Sequence, residues 1–374
     1  MDKNLQAFFE LVRAGLWEKE ARLSQFGDVD YEEIMRLAEE QSVIGLVTAG
    51  LEHVVDVKVP QEWLLQFIGS TLQLEQQNKD MNMFVAELTE KLRKAGVYAV
   101  LVKGQGVAQC YEKPLWRASG DVDLFLSDDN FEMARDFLTP LASEVETENK
   151  YERHLAMTID SWVVELHGSL RCGLSARIDR VLDNIKRNTF NEGNVRSWMN
   201  GKTQVFLPIV ENDGLYVFTH ILSHFYKGGV GLRQVCDWCR LLWAYRESVN
   251  RGLLESRIKQ AGLTNEWRTF GAFAVEYLGM PTDAMPLYSS NVQRSKKFKK
   301  KADKICSFIM EVGNFGHNRD TSYYSKYPFL LRKVVSLWHR IEDLGRHALI
   351  FPLDSFKFFP NMMLIGLSEA VRGK

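Results

Sequence analysis

Residues 120–126 read Gly120-Asp121-Val122-Asp123-Leu124-Phe125-Leu126. In an extended segment successive side chains point to opposite faces, so Asp121 and Asp123 share one face while Val122, Leu124 and Leu126 share the other. Two carboxylates then stand side by side above an apolar anchor. At about 5 Å and an effective dielectric of about 20 they repel by about 3 kcal/mol, a cost that a purely structural strand has no reason to carry. A divalent cation held between them reverses the sign, because hard ions such as Mg2+ take oxygen ligands and hold substrate phosphates alongside.

Working outward, the apolar, β-branched run Val97-Tyr98-Ala99-Val100-Leu101-Val102 predicts a buried strand ending at Lys103-Gly104, followed by a short helix from about Val107 to Tyr111. Downstream, Ser127-Asp128-Asp129 offers an N-cap and an acidic first turn for a helix carrying Phe131, Ala134, Phe137 and Leu138. Two more strands are expected, from Glu152 to Thr158 and from Trp162 to His167, with Ile159-Asp160-Ser161 turning between them. Glu165 alternates with apolar neighbours in the second, so the hairpin can carry a third carboxylate to Asp121 and Asp123.

The fold class expected is α+β: a small mixed-sheet core over residues 96–170, flanked by helical regions at 1–95 and 171–374. Leu5, Phe8, Phe9, Val12 and Leu16 recur at helical spacing, and a longer pattern runs from Trp63 to Leu92, with Pro60 suited to its start. Beyond Ser175 the periodicity is again helical, with Gly228-Gly229 and Gly231 separating two helices.

Composition narrows the function classes. The 374 residues are 45% hydrophobic and 25% charged, an ordinary globular balance, and the net charge of −1 argues against a surface tuned throughout for duplex nucleic acid. Five cysteines, an odd and small number, read as reduced thiols rather than a disulfide framework. The N-terminus has no signal-peptide pattern and no apolar run approaches 20 residues, so a cytoplasmic protein without a transmembrane segment is expected.

Taken in order, Leu101-Val102-Lys103-Gly104, Arg117, Gly120-Asp121-Val122-Asp123-Leu124 and Val164-Glu165-Leu166-His167 resemble the nucleotidyltransferase superfamily that includes DNA polymerase beta. The resemblance is greater to an uncharacterised bacterial nucleotidyltransferase family of that palm-like fold. It spans roughly residues 90–245: His220, His224 and Leu232-Arg233-Gln234-Val235-Cys236-Asp237 also look like that family, and Gly313-Asn314-Phe315-Gly316 extends it. The resemblance implies Mg2+-dependent, or Mn2+-dependent, attack of an acceptor on the α-phosphorus of an NTP, ATP among them, with pyrophosphate leaving. Asp121, Asp123 and Glu165 would be the catalytic metal ligands, Glu165 alternatively accepting the proton. Lys103, Gly104, Gly106, Arg117 and Ser119 would face the nucleotide; His167, His220, His224 and Asp237 are candidates for the acceptor side. Where relatives carry Gly-Ser or Gly-Gly before the nucleotide-binding helix, this chain has Lys103-Gly104-Gln105-Gly106. Its glycines permit close backbone approach, the helix start favours an anion, and the lysine supplies charge.

Plainer readings stand beside these. Arg117 also reads as a salt-bridged loop residue, and Lys103 as a strand-end side chain snorkelling to solvent. His220 and His224 are four apart on one helical face, but Ile221 stands where a metalloprotease motif needs glutamate, so packing or hydrogen bonds to Asp237 are expected of them. His154 and His167 read as satisfied, partly buried histidines facing the cleft. Cys236 and Cys239 read as helix-packed thiols. The lysine-rich run from Lys296 to Lys301 reads as a solvated helix face, or as a patch steering RNA, anionic lipid or a phosphorylated acceptor. Small molecules or proteins are favoured over long nucleic acids as acceptor. Two rival functions are a catalytically inactive nucleotide-binding regulatory module and a toxin-antitoxin-type interaction protein.

Overall fold

The computed structural model describes residues 2–316, 318 and 329–371. A five-stranded mixed sheet has the order β1-β2-β5-β4-β3, built from β1 (Ala99–Val102), β2 (Val122–Leu126), β3 (Glu144–Val145), β4 (His154–Ile159) and β5 (Trp162–His167). β2 runs antiparallel to β1 and parallel to β5, and β4 pairs antiparallel with both β5 and β3. Asp123 lies opposite Glu165 across β2 and β5, while His154 lies opposite His167 and Ala156 opposite Glu165 across β4 and β5. All five residues of β2 are buried, as expected of a central strand.

Local chemistry shifts several boundaries. β1 begins at Ala99 rather than Val97 because the Tyr98 amide donates 2.6 Å to Asn130 Oδ1 instead of joining the ladder. β4 begins at His154 because Arg153 sits at φ 45°, outside extended geometry. The β4–β5 turn has two residues, Asp160 and Ser161, both at positive φ, as a tight hairpin twisting with its strands requires. The helix after β1 occupies Gly104–Ala108, not Val107 to Tyr111: it starts directly at the strand end and makes little more than one turn.

Around the sheet lie α1 (Lys3–Trp17), α2 (Tyr31–Glu40), α3 (Ile44–Glu52), α4 (Gln61–Lys94), α5 (Gly104–Ala108), α6 (Asp128–Leu138), α7 (Ala176–Phe190), α8 (Val210–Lys227), α9 (Leu232–Ala244), α10 (Arg251–Ala261) and α11 (Thr264–Leu278). Further helices follow, including Lys296–Val312, Phe329–Ala348 and Pro352–Val371. Ser127 caps α6 as its sequence predicts, accepting from the Asn130 amide. The molecule is mostly helical with a small mixed sheet, the α+β class expected.

One element departs from the helical reading beyond Ser175. Residues Val195–Asn200 and Thr203–Pro208 form an antiparallel hairpin, β6 and β7, turning at Gly201-Lys202 with Gly201 at φ 61°. Val205 and Leu207 of β7 join Leu101 and Leu124 in the core beneath the sheet. A second apolar cluster runs from Ala7 in α1 through α8, α9 and α11 to Met362, so residues of both flanking segments share one interior. The five cysteines are free and buried. No helix among the described residues is long and apolar enough to cross a membrane.

Candidate active site

The strand register places the three carboxylates together. Asp121, just before β2, shares a face with Asp123, and parallel pairing sets Glu165 beside Asp123. One oxygen of each lies within 4.8 Å of the others. The result is an all-oxygen donor set of the kind that hard divalent ions take.

Lys103 reaches this set from the end of β1, its ammonium 2.6 Å from Asp123 Oδ1 and 5.9 Å from the centre of the Tyr216 ring. Its backbone sits at φ 55°, ψ −146°, a region nearly reserved for glycine, and such strain collects where structure holds a functional group in place. Burial disfavours the ammonium, but Asp123, Tyr216 and Glu165 outweigh it and raise the Lys103 pKa, so the charge persists. Burial, reinforced by Asp123 and Glu165, raises the Asp121 carboxyl above its ordinary value. For Glu165, burial pushes upward, yet hydrogen bonding from His154 and His167 and the charges of His167 and Lys103 hold it well below the carboxylate range. His167 Nε2 lies 2.8 Å from Asp123 Oδ1 and 3.3 Å from Glu165 Oε2; these partners raise its pKa against the effect of burial.

Two cavities meet here. Lys103, Asp121 and His220 line both. The narrow one adds Gly104, Arg117, Gly120, Asp123, Arg233, Gln234 and Asp237. Its floor is a buried ion pair: Arg117 donates from Nε and Nη2 to the two oxygens of Asp237, at 3.0 and 2.7 Å, and the Tyr111 hydroxyl donates to Asp237 Oδ1 at 2.7 Å. Arg117 is therefore salt-bridged and still faces the pocket, and its Nη1, like Ser119 Oγ and Gln234 Nε2, is buried without a hydrogen-bond partner among the described residues. Asn78 of α4 donates to the carbonyls of Leu115 and Arg117, and Arg233 to that of Ala118, so the loop before β2 is held from two sides.

The wide cleft measures about 420 Å³ and is lined by Glu152, His154, Glu165, His167, Ser169, Tyr216, Ser223, His224 and Lys227 among others. That is ample for a small molecule or a protein side chain. His220 and His224 hydrogen-bond to each other at 3.0 Å, not to Asp237, whose oxygens are taken by Arg117 and Tyr111. Burial and the Lys103 charge push the His220 pKa far down and that of His224 to about 4.

Gly104, at φ 40°, lines the narrow pocket, and a Cβ there would stand 3.3 Å from the Asp121 carbonyl. Gly106 instead faces Leu207 of β7: an added Cβ would lie 2.8 Å from Leu207 Cδ2. α5 has five residues, so it can offer an anion only the amides of about one turn. Cys236 and Cys239 are buried in α9, and Lys296–Lys301 forms the first turns of a helix where Lys299 pairs with Glu276 at 2.7 Å. Sequence reasoning missed Arg233 and Gln234 as pocket residues and Tyr216 beside Lys103. Arg233 and Gln234 lay in a segment resembling the family but carried no assigned role, and Tyr216 was marked only by its apolar-patterned helix.

Neither the curated proteins nor the solved structures contain a match to this chain. A family model described as uncharacterised nucleotidyltransferase matches residues 27–279, a span that takes in the carboxylate triad, Lys103, the Arg117–Asp237 pair and both cavities. The chain belongs to that nucleotidyltransferase family.

Proposed function

We propose that this protein transfers a nucleoside monophosphate from an NTP to an acceptor bound in the wide cleft, by the polymerase beta-type reaction. The acceptor oxygen forms the new bond to the α-phosphorus, the bond from that phosphorus to the bridging oxygen of the β-phosphate breaks, and pyrophosphate leaves. The observation carrying this reading is the convergence of Asp121, Asp123 and Glu165 where two cavities join.

The donor set fits Mg2+ or Mn2+, since all three groups are carboxylates and none is sealed from the cavities. Asp121, Asp123 and Glu165 would hold the ions, which neutralise phosphate charge and lower the pKa of a bound hydroxyl. Lys103 orients and offsets phosphate charge beside them. Arg117 Nη1 and Gln234 Nε2, on residues that line the narrow cavity and buried without a partner among the described residues, supply donors that a phosphate oxygen would satisfy. Glu165, held well below the carboxylate range, serves as a ligand rather than as a base. The wide cleft mixes Glu152, Lys227, serines and histidines instead of presenting a continuous basic track, which favours a small molecule or a protein over a long polynucleotide.

The test incubates the protein with each α-labelled NTP, Mg2+ or Mn2+ and fractionated lysate, and asks where label appears. Transfer by the parent and none by the Asp121→Asn, Asp123→Asn double variant is expected. Equal labelling by both removes the basis of the proposal, and tight NTP binding with no pyrophosphate released under any acceptor mixture identifies a binding module instead.

A further inference from the structure

We infer that His154, Glu165 and His167 form a second metal site, for a borderline transition-metal ion of the zinc class, beside the all-oxygen set and sharing Glu165 with it. The sheet register builds it. His154 and His167 are direct cross-strand partners on β4 and β5, and Glu165, two residues before His167, shares their face. The residue opposite Glu165 is Ala156, too small to occupy the space between the two imidazoles.

The donors are spaced as such an ion demands. His154 Nε2 stands 3.2 Å and His167 Nε2 3.3 Å from the same oxygen, Glu165 Oε2, and all three donor atoms lie within 4.8 Å of one another. A tetrahedral ion with bonds of about 2.0–2.1 Å places its ligands about 3.3 Å apart. Both imidazoles present the same nitrogen toward one carboxylate oxygen, and both line the wide cleft, His154 half-buried and His167 buried. Two nitrogens and one oxygen suit zinc-class ions, whereas Mg2+ prefers oxygen donors. Three protein ligands leave a fourth position for an oxygen or nitrogen donor entering from the acceptor side, the pattern of a site with an exchangeable ligand. The competing role for His167 is to hold a proton between Glu165 and Asp123, whose Oδ1 lies 2.8 Å from its Nε2.

The experiment titrates the EDTA-treated full chain with Zn2+ by calorimetry in excess Mg2+, and records the visible ligand-field spectrum after Co2+ addition. One Zn2+ per chain, surviving excess Mg2+, and intense low-symmetry Co2+ bands are expected. His154→Ala should weaken Zn2+ binding at least tenfold with an unchanged circular-dichroism spectrum and melting temperature. Asp121→Asn, which removes only an oxygen-site ligand, should leave Zn2+ binding nearly intact. Absence of stoichiometric Zn2+ binding in the parent, an octahedral Co2+ spectrum, or equal affinity in His154→Ala overturns the inference. Because the readout is metal affinity, failure here leaves nucleotidyl transfer untouched, and equal labelling by parent and double aspartate variant, which would end the transfer reading, leaves the Zn2+ result standing.

Discussion

Lys103 is where the electrostatics of the site concentrate. Its ammonium lies against Asp123 within a group of three carboxylates, and its strained backbone shows that the fold holds it there. Replacing it by methionine leaves buried acids without their positive partner, a change that costs about 3–5 kcal/mol when one member of a buried pair is removed. Lys103→Met should therefore melt early in EDTA and gain more from Mg2+ than the parent does, because an ion that binds only the folded state stabilises it by mass action. Thermal melts with and without Mg2+ measure this; an identical Mg2+ response in both proteins would show that the lysine and the ion do not share the carboxylates. At this scale much was readable in advance. Period-two alternation alone puts Asp121 and Asp123 on one face, and Glu165 among apolar neighbours marks the third acid. The partner of Arg117 was not readable, because Asp237 lies 120 positions away on a helix whose pattern reports only burial.

Between elements, α1 and α3 cross in close backbone contact. A Cβ added at Gly50 would lie 2.0 Å from the Leu11 carbonyl oxygen, and one at Gly15 equally close to that of Leu46, so the two backbones touch where side chains are absent. A Cβ added at Gly45 of α3 would lie equally close to the Trp116 carbonyl oxygen, so this helix packs directly on the loop presenting Arg117. Gly50→Ala should destabilise by about 3 kcal/mol, the upper end for overpacking, since rigid backbone cannot move aside. Urea unfolding measures it, and activity per folded molecule should persist. Gly45→Ala should lower activity as well, by displacing the loop; unchanged turnover in that variant would sever the link. The hairpin β6–β7 escaped the helical reading because Val195–Asn200 shows little burial contrast, although Gly201 opening a two-residue turn was a local clue.

Across the whole molecule, the packing of the C-terminal helices carries a pH dependence. Glu266 of α11 is fully buried beside Asp354 of the helix Pro352–Val371, and burial followed by that neighbour pushes its carboxyl from 4.5 up to about 9. Between those values the folded chain keeps a proton that the unfolded chain releases, so this group's contribution is complete below about pH 4.5 and is lost as pH rises toward 9. Glu266→Gln should stabilise the protein with a margin that grows by at most about 1.4 kcal/mol per pH unit across the window. Denaturant titrations at pH 5, 6.5 and 8 would show the parent and variant diverging; a constant difference would mean that Glu266 is not the titrating group. The sequence by itself determined the α+β class and the shared face of Asp121 and Asp123, because alternation and capping are local properties written in neighbouring residues, whereas the β2–β5 register decided that Glu165 stands beside them. Only the tertiary structure decided that Arg117 is held by Asp237, that His220 bonds to His224, that α5 is a single turn, and that His154 meets His167 over Glu165. Those outcomes depend on strand register and helix docking between residues far apart in the chain, where competition for the same few partners selects the contacts.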